Sequence, residues 1–253
     1  MSDEHSDDNT TDFGYQRVPR GEKADRVGAV FRSVAGQYDR MNDLMSLGLH
    51  RLWKRQTVAA AQLRPGMRVL DLAAGTGDLA ELMAPQVGSR GQVILADRSE
   101  AMLAEGRNRL LDAGWVEPLE YALTDAELLP FKSGHFDRIT MGFGLRNVTD
   151  KARALAEMRR VLRPGGRALV LEFSQLAIPS LQPLYDAYSF QLLPRLGQLV
   201  AGDADSYRYL AESIRMHPDQ RTLCDMMAAA GLEDCNYTNL SGGIVAIHCG
   251  YRY

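Results

Sequence analysis

From residue 67 onward the chain alternates short apolar runs with segments of helical periodicity. The runs cover 68–72, 92–96, 119–123, 136–141 and 167–173, and each gives way to polar or glycine-bearing positions. Between them, 78–83, 99–111 and 150–161 carry apolar residues at helical spacing. Strands that alternate with helices predict a parallel sheet covered on both faces. The end of the chain differs. A helix over 218–230 stops at Gly231, and two strands, 233–240 and 244–251, are joined by Ser241-Gly242-Gly243. So short a connection makes a hairpin, so the last strand runs antiparallel to its partner.

Two stretches stand outside this alternation. Residues 24–60 read as helical with a break around 42–48, and Val27, Val30, Phe31 and Val34 recur at helical spacing. Residues 174–217 are too long for a simple connection and rich in Tyr, Leu and Pro. They read as a cap over the carboxyl ends of the strands. Leu192, Leu193, Leu196, Leu199 and Val200 fall roughly on one helical face, suited equally to core packing and to a long apolar ligand.

Composition narrows the class. The 253 residues, 45% of them hydrophobic, suffice for one sizeable core. A single domain is expected over 18–253, behind an acidic disordered tail at 1–17. Residues 1–12 hold five acids and no Lys or Arg, so they lack the basic start and apolar centre of a secretory signal. With 29 basic against 32 acidic residues, general affinity for nucleic acid is not expected. No run is long and apolar enough to span a bilayer. The expected location is cytoplasmic, with any contact peripheral, at the inner membrane. Cys224, Cys235 and Cys249 fit no metal-ligand spacing, and no metal is expected.

The candidate chemistry begins at Asp71-Leu72-Ala73-Ala74-Gly75-Thr76-Gly77-Asp78, where the first strand turns into a helix. Gly75 and Gly77 permit backbone angles closed to other residues and let a ligand approach the main chain. Asp97, ending the second strand, can accept both hydroxyl hydrogens of a ribose. The run Gly75 to Ala80 also fits a dinucleotide fingerprint, so a nicotinamide dehydrogenase stays open at this point. Three features bear on the choice. Asp71 suits a cation and opposes a pyrophosphate. Asp125, with Ala126 after the third strand, can accept from an adenine amino group, or serve only as a turn residue. Pro164-Gly165-Gly166 leads into the fifth strand and reads best as a turn.

Four segments then carry a specific likeness: Val34 to Asn42, Asp71 to Asp78, Phe143-Gly144-Leu145-Arg146-Asn147-Val148-Thr149-Asp150, and Asp205 to Ile214. Over about 18–253 the chain closely resembles the ubiquinone/menaquinone biosynthesis C-methyltransferases. The resemblance implies an α/β fold of class I methyltransferase type: a Rossmann-like seven-stranded sheet, mostly parallel with an antiparallel C-terminal strand and helices on both faces. It implies S-adenosylmethionine as co-substrate, bound at Thr76, Asp97 and Asp125-Ala126, to which the reading of the glycine loop adds Asp71, Gly75 and Gly77. The family often has a serine where this chain has Gly142, so only main-chain contact is expected there. Asp125 replaces an amide residue common at its position.

The implied reaction is methylation of carbon in a prenylated quinol, with a quinone-biosynthesis complex or a second copy of the chain as partners. Such a ring carbon must be electron-rich, so a quinol hydroxyl must lose its proton. Arg146, with Asn147 beside it, is expected to stabilise the quinolate. His217 is the alternative base. Tyr207 and Tyr209 are expected to pack against the ring or the prenyl chain. Two other readings compete: a non-catalytic scaffold and an O-methyltransferase. The scaffold predicts a degraded Asp71, Gly75, Gly77 or Asp97, and all four are present.

Overall fold

A computed structural model describes residues 9–34, 42, 43, 46–177, 183 and 204–253. Strands β1 (Thr10–Phe13) and β2 (Gln16–Pro19) come first, then α1 (Arg20–Val34) and α2 (Leu49–Ala61). The alternating core follows: β3 (Arg68–Leu72), α3 (Asp78–Val87), β4 (Gln92–Asp97), α4 (Glu100–Asp112), β5 (Leu119–Leu123), β6 (Phe136–Gly142), a single 3-10 turn (Leu145–Asn147), α5 (Lys151–Val161) and β7 (Leu162–Phe173). After it come α6 (Ala204–Arg215), α7 (Gln220–Ala229), β8 (Glu233–Leu240) and β9 (Val245–Arg252).

The main sheet has seven strands in the order β5-β4-β3-β6-β7-β9-β8. Pairs from β5 through β7 are parallel, and β9 runs antiparallel to both β7 and β8. The expected architecture is therefore found. Its central strands β3, β4 and β6 are buried on both faces, as their unbroken apolar character requires, whereas the edge strand β8 is largely exposed. Leu70, Leu72, Ile139 and Met141 pack toward Leu155, Met158, Leu223 and Met227 of α5 and α7. Val69, Val93 and Leu95 pack toward Val58, Met83 and Leu110 of α2, α3 and α4. Short polar side chains start the helices: Ser99, Asp150 and Asp219 accept from the N–H of Met102, Arg153 and Thr222. Strand order reverses between β4-β3 and β6, so a crevice opens at the carboxyl end of β3.

The chain before α1 departs from expectation. A disordered tail through residue 17 is corrected: from Thr10 the chain forms the β1–β2 hairpin. Gly14 turns it at φ 58°. Phe13 stacks on Tyr209 at 4.3 Å between ring centres, and the Tyr15 N–H donates to the Glu212 carboxylate at 3.1 Å. An aromatic side chain with a docking partner outweighs the acidic composition around it. The earlier acids, at positions 3, 4, 7 and 8, lie outside the described residues, as do Leu192 to Val200 of the expected cap.

One buried ion pair holds the turn between β6 and α5. Glu172, fully buried in β7, accepts from Arg146 Nη1 at 2.9 Å, from the Arg146 N–H at 3.2 Å and from the Phe173 N–H at 2.9 Å. Arg146 Nη1 also donates to the Phe143 carbonyl. Glu172→Gln leaves the Arg146 charge buried without its counter-ion, and should lower unfolding free energy by about 3 kcal/mol. Urea denaturation reads this. An apolar double replacement, Arg146→Met with Glu172→Leu, should recover most of the loss. Failure of the single change to shift the midpoint would contradict the pair's role.

Candidate active site

A cavity of about 710 Å³ lies at the carboxyl ends of β3 to β6. Gly75, Asp97, Asp125, Ala126, Gly142 and Asn147 line it, as does Met102 of α4. Its outer wall is α1, through Ala24, Asp25, Val27, Gly28 and Arg32. No sequence motif pointed to this wall, because its residues carry no chemical signature.

Asp97 ties the glycine loop to the sheet. One carboxylate oxygen accepts from the Gly75 N–H at 2.9 Å, the other from the Ser99 N–H at 2.8 Å. Each oxygen keeps a lone pair for a ligand. Burial raises its pKa above the ordinary carboxylate value, and the N–H donors oppose that. Asp125 is held from both sides, accepting from the Glu127 N–H at 2.9 Å and pairing with Arg98 at 3.1 Å.

Beside the cavity is a small pocket lined by Lys54, Asp71, Thr76 and Asp78, which shares Ala73, Gly142 and Phe143 with it. Asp71 is 1% exposed. Thr140 donates to one of its oxygens at 2.7 Å, and the other has no partner. Burial pushes the Asp71 carboxyl up to about 7, against the Thr140 hydroxyl and the charge of Lys54. Lys54 itself is committed to Asp78 at 2.5 Å. Lys54 and Asp78 are 24 residues apart, and nothing in the pattern of either segment announces the pair.

The backbone is unusual where these spaces meet. Ala73 and Phe143 adopt left-handed φ values of 50° and 56°, which non-glycine residues seldom take. A Cβ on Gly144 would fall 2.4 Å from that of Ala73, so only glycine lets the two turns close against each other. Gly142 follows another logic: a Cβ there would lie 2.9 Å from Leu79 Cδ1, which occupies the space a serine would need. Gly77 is a packing residue. It sits at φ 85° before α3, with Leu110 and Leu95 within 3 Å of where its Cβ would be, and it lines neither space.

The expected pair Arg146 and Asn147 is split. Asn147 lines the cavity, and its Oδ1 accepts from the Tyr209 hydroxyl at 3.0 Å. Burial pushes the Tyr209 phenol up to about 12, so it remains a donor. Arg146 is buried behind the wall, neutralised by Glu172 and set over the Phe173 ring at 5.5 Å. Arg146 does not line the cavity, and its charge is engaged by Glu172. His217 is also away from the cavity. It is buried with both ring nitrogens unpartnered, and burial, then Lys151 and Arg146, hold its pKa well below the usual histidine value. Tyr207 and Tyr209 are buried as well.

Two contacts join α1 to this wall. Lys23 Nζ donates to the Val148 carbonyl at 3.1 Å, and Arg20 pairs with Asp150 at 2.9 Å. The polar turn thus carries Asn147 on one side and the N-terminal segment on the other. Among the described residues, no group of His, Cys, Asp and Glu could hold a metal ion.

This arrangement has known counterparts. A solved S-adenosylmethionine-dependent methyltransferase from Aquifex aeolicus shares the fold, with a TM-score of 0.62 at 15% identity over 85% of this chain and 98% of its own. A ubiquinone/menaquinone biosynthesis C-methyltransferase UbiE from Coxiella burnetii (strain RSA 331 / Henzerling II) is 58% identical over 244 residues, covering 96% of this chain and 98% of its own. Its counterpart from Edwardsiella ictaluri (strain 93-146) is 60% identical over 96% of this chain and 97% of its own. The model of the ubiE/COQ5 methyltransferase family matches residues 20–252, from the first residue of α1 to the last of β9. With its crevice, glycine loop and polar turn intact across that span, the chain belongs to the ubiE/COQ5 methyltransferase family.

Proposed function

We propose that the chain methylates a ring carbon of a prenylated quinol, with S-adenosylmethionine as methyl donor, on the route to ubiquinone, menaquinone or both. The observation that carries this is the near full-length match to C-methyltransferases of that route, with Gly75, Asp97 and Asn147 lining one cavity and Asp71 the small pocket beside it. The donor set fits the co-substrate. Asp71 and Asp78 beside the glycine loop disfavour a pyrophosphate, which a dinucleotide would bring there. The unpartnered Asp71 oxygen offers a carboxylate to an ammonium group. Asp97 holds ribose hydroxyls, and Asp125 with Ala126 receives adenine. Gly75 and Gly142 leave the main chain open to the ligand, while Thr76 closes the small pocket.

When bound, S-adenosylmethionine supplies a sulfonium-activated methyl group that an electron-rich carbon displaces. The acceptor must therefore be the reduced ring: loss of a hydroxyl proton makes its ring carbon electron-rich, and that carbon's hydrogen leaves as a proton once the methyl is attached, whereas the carbons of the oxidised quinone are electron-poor. Because Tyr209 occupies Asn147 Oδ1, the amide N–H2 of Asn147 is left to donate to a ring oxygen and favour its anion. Arg146 is a positioning residue: it fixes the Phe143 carbonyl and, through Glu172, the orientation of Asn147. The cap at 174–217 is assigned to the prenyl chain, within one domain over 18–253. Among the described residues no helix is long and apolar enough to cross a membrane, so contact with a lipid-borne acceptor is peripheral in this reading.

The direct test supplies labelled S-adenosylmethionine and a short-chain demethylmenaquinone, with and without reductant. Transfer should require the reductant; transfer to the oxidised ring, or no transfer either to this naphthoquinol or to the second acceptor of the route, a short-chain methoxy-polyprenyl-benzoquinol, would sink the reading. In the same assay Asn147→Ala should lower kcat by about tenfold or more with co-substrate affinity unchanged.

Asp71 gives a pH signature. Its folded pKa, about 7, lies above its unfolded value, so the ligand-free protein loses stability as pH rises from about 4 through 7. Asp71→Asn keeps an acceptor for Thr140 and removes this loss. The ligand-free variant should be more stable than the wild type at pH 8, by up to roughly 4 kcal/mol, and equal to it near pH 4. It should also bind S-adenosylmethionine more weakly at pH 8. Equal stability at both pH values would contradict the buried, poorly solvated carboxylate.

A further inference from the structure

Three leucines stand in solvent at the start of α2. Leu47 is 78% exposed, Leu49 41% and Leu52 50%. Leu47 takes a left-handed φ of 50° and Gly48 one of 79°, so the chain turns sharply with a leucine at its tip. Side-chain-bearing residues avoid that conformation, and here the core gains nothing from it. Leu49 and Leu52 are three apart on the helix and so share a face.

The charged side chains of α2 itself are all basic. Helix α2 contains Arg51, Lys54 and Arg55 and no acidic residue, on a chain of formal net charge -3. Lys54 turns inward to Asp78, and Arg51 pairs with Asp43 at 2.7 Å. Arg55 remains exposed one turn beyond Leu52. The opposite face of α2 buries Trp53 against Phe143, with ring centres 6.2 Å apart. Trp53 also meets Phe173 at 6.3 Å, so α2 begins at the carboxyl ends of β6 and β7, the end of the sheet at which the cavity lies.

We propose that Leu47, Leu49 and Leu52, rimmed by Arg55, form a docking surface for an anionic phospholipid bilayer. Leucine side chains suit the boundary between headgroups and acyl chains, and an arginine beside them suits the phosphate layer. Docking by this end would turn the mouth of the cavity toward the lipid. This rests on the reading of the acceptor as a membrane-borne quinol.

The test measures sedimentation of the whole protein with vesicles of phosphatidylcholine containing about 30% phosphatidylglycerol, a negatively charged surface. The triple variant L47S/L49S/L52S should partition at least about tenfold more weakly than the wild type, and R55E should weaken binding mainly at low salt. Turnover of a short-chain, water-soluble quinol by the triple variant should be unchanged, which also shows that it folds. Equal partition of wild type and triple variant overturns the proposal. So does a triple variant that is monomeric by light scattering where the wild type is dimeric, with neither bound to vesicles: the face then belongs to a second copy. Vesicle binding is read without acceptor. A protein that binds through these leucines yet methylates no quinol would retain this surface and lose the functional reading instead.

Discussion

The cavity depends on a carboxylate that no solvent reaches. Glu172 lies within an apolar strand, and Arg146 is the cation that makes its burial tolerable. Their contacts fix the chain from Phe143 to Asp150 against the end of β7, and that stretch carries almost everything else. Phe143, Gly144, Asn147, Val148 and Thr149 line the cavity from it. Tyr209 reaches it through Asn147, Lys23 through Val148 and Arg20 through Asp150. The N-terminal segment and α6 are therefore docked onto a turn held at one end by this ion pair and at the other by Glu127, whose carboxylate accepts from the Thr149 and Asp150 N–H groups at 3.0 and 2.9 Å.

Such a turn costs stability compared with apolar packing and provides rigidity in exchange. The same trade is visible at Asp71, whose carboxylate is buried with one oxygen unpartnered, and at Ala73 and Phe143 with their left-handed backbones. All lie around one space. Beside a cavity, a strained backbone and a buried carboxylate oxygen without a partner mark a place shaped for a ligand rather than for the empty protein. Under the proposed function, a co-substrate carrying positive charge would relieve the Asp71 deficit, linking folding, pH and binding at that residue.

The sheet was legible because parallel strands must be apolar on both faces and the chain marks their ends with glycine and aspartate. Gly75, Asp97, Asp125, Ala126 and Asn147 were legible for the same reason: each follows a strand at its carboxyl end. Other features were not. Arg146 read as a free cation because its partner, Glu172, hides 26 residues later in an apolar run. The β1–β2 hairpin read as a tail because local acidity says nothing of Phe13 meeting Tyr209, nearly the whole chain away. Lys54 with Asp78 and α1 as a cavity wall belong with these. All are tertiary contacts between segments whose own patterns are ordinary.

The central claim is that the methyl group goes to carbon. It is tested most directly with S-adenosylmethionine carrying a 13C methyl and a reduced short-chain demethylmenaquinone, followed by NMR of the extracted product. The account predicts a single labelled signal with the shift of a methyl on an aromatic ring carbon. A signal with the shift of an aryl methoxy group would make this an O-methylation and contradict it.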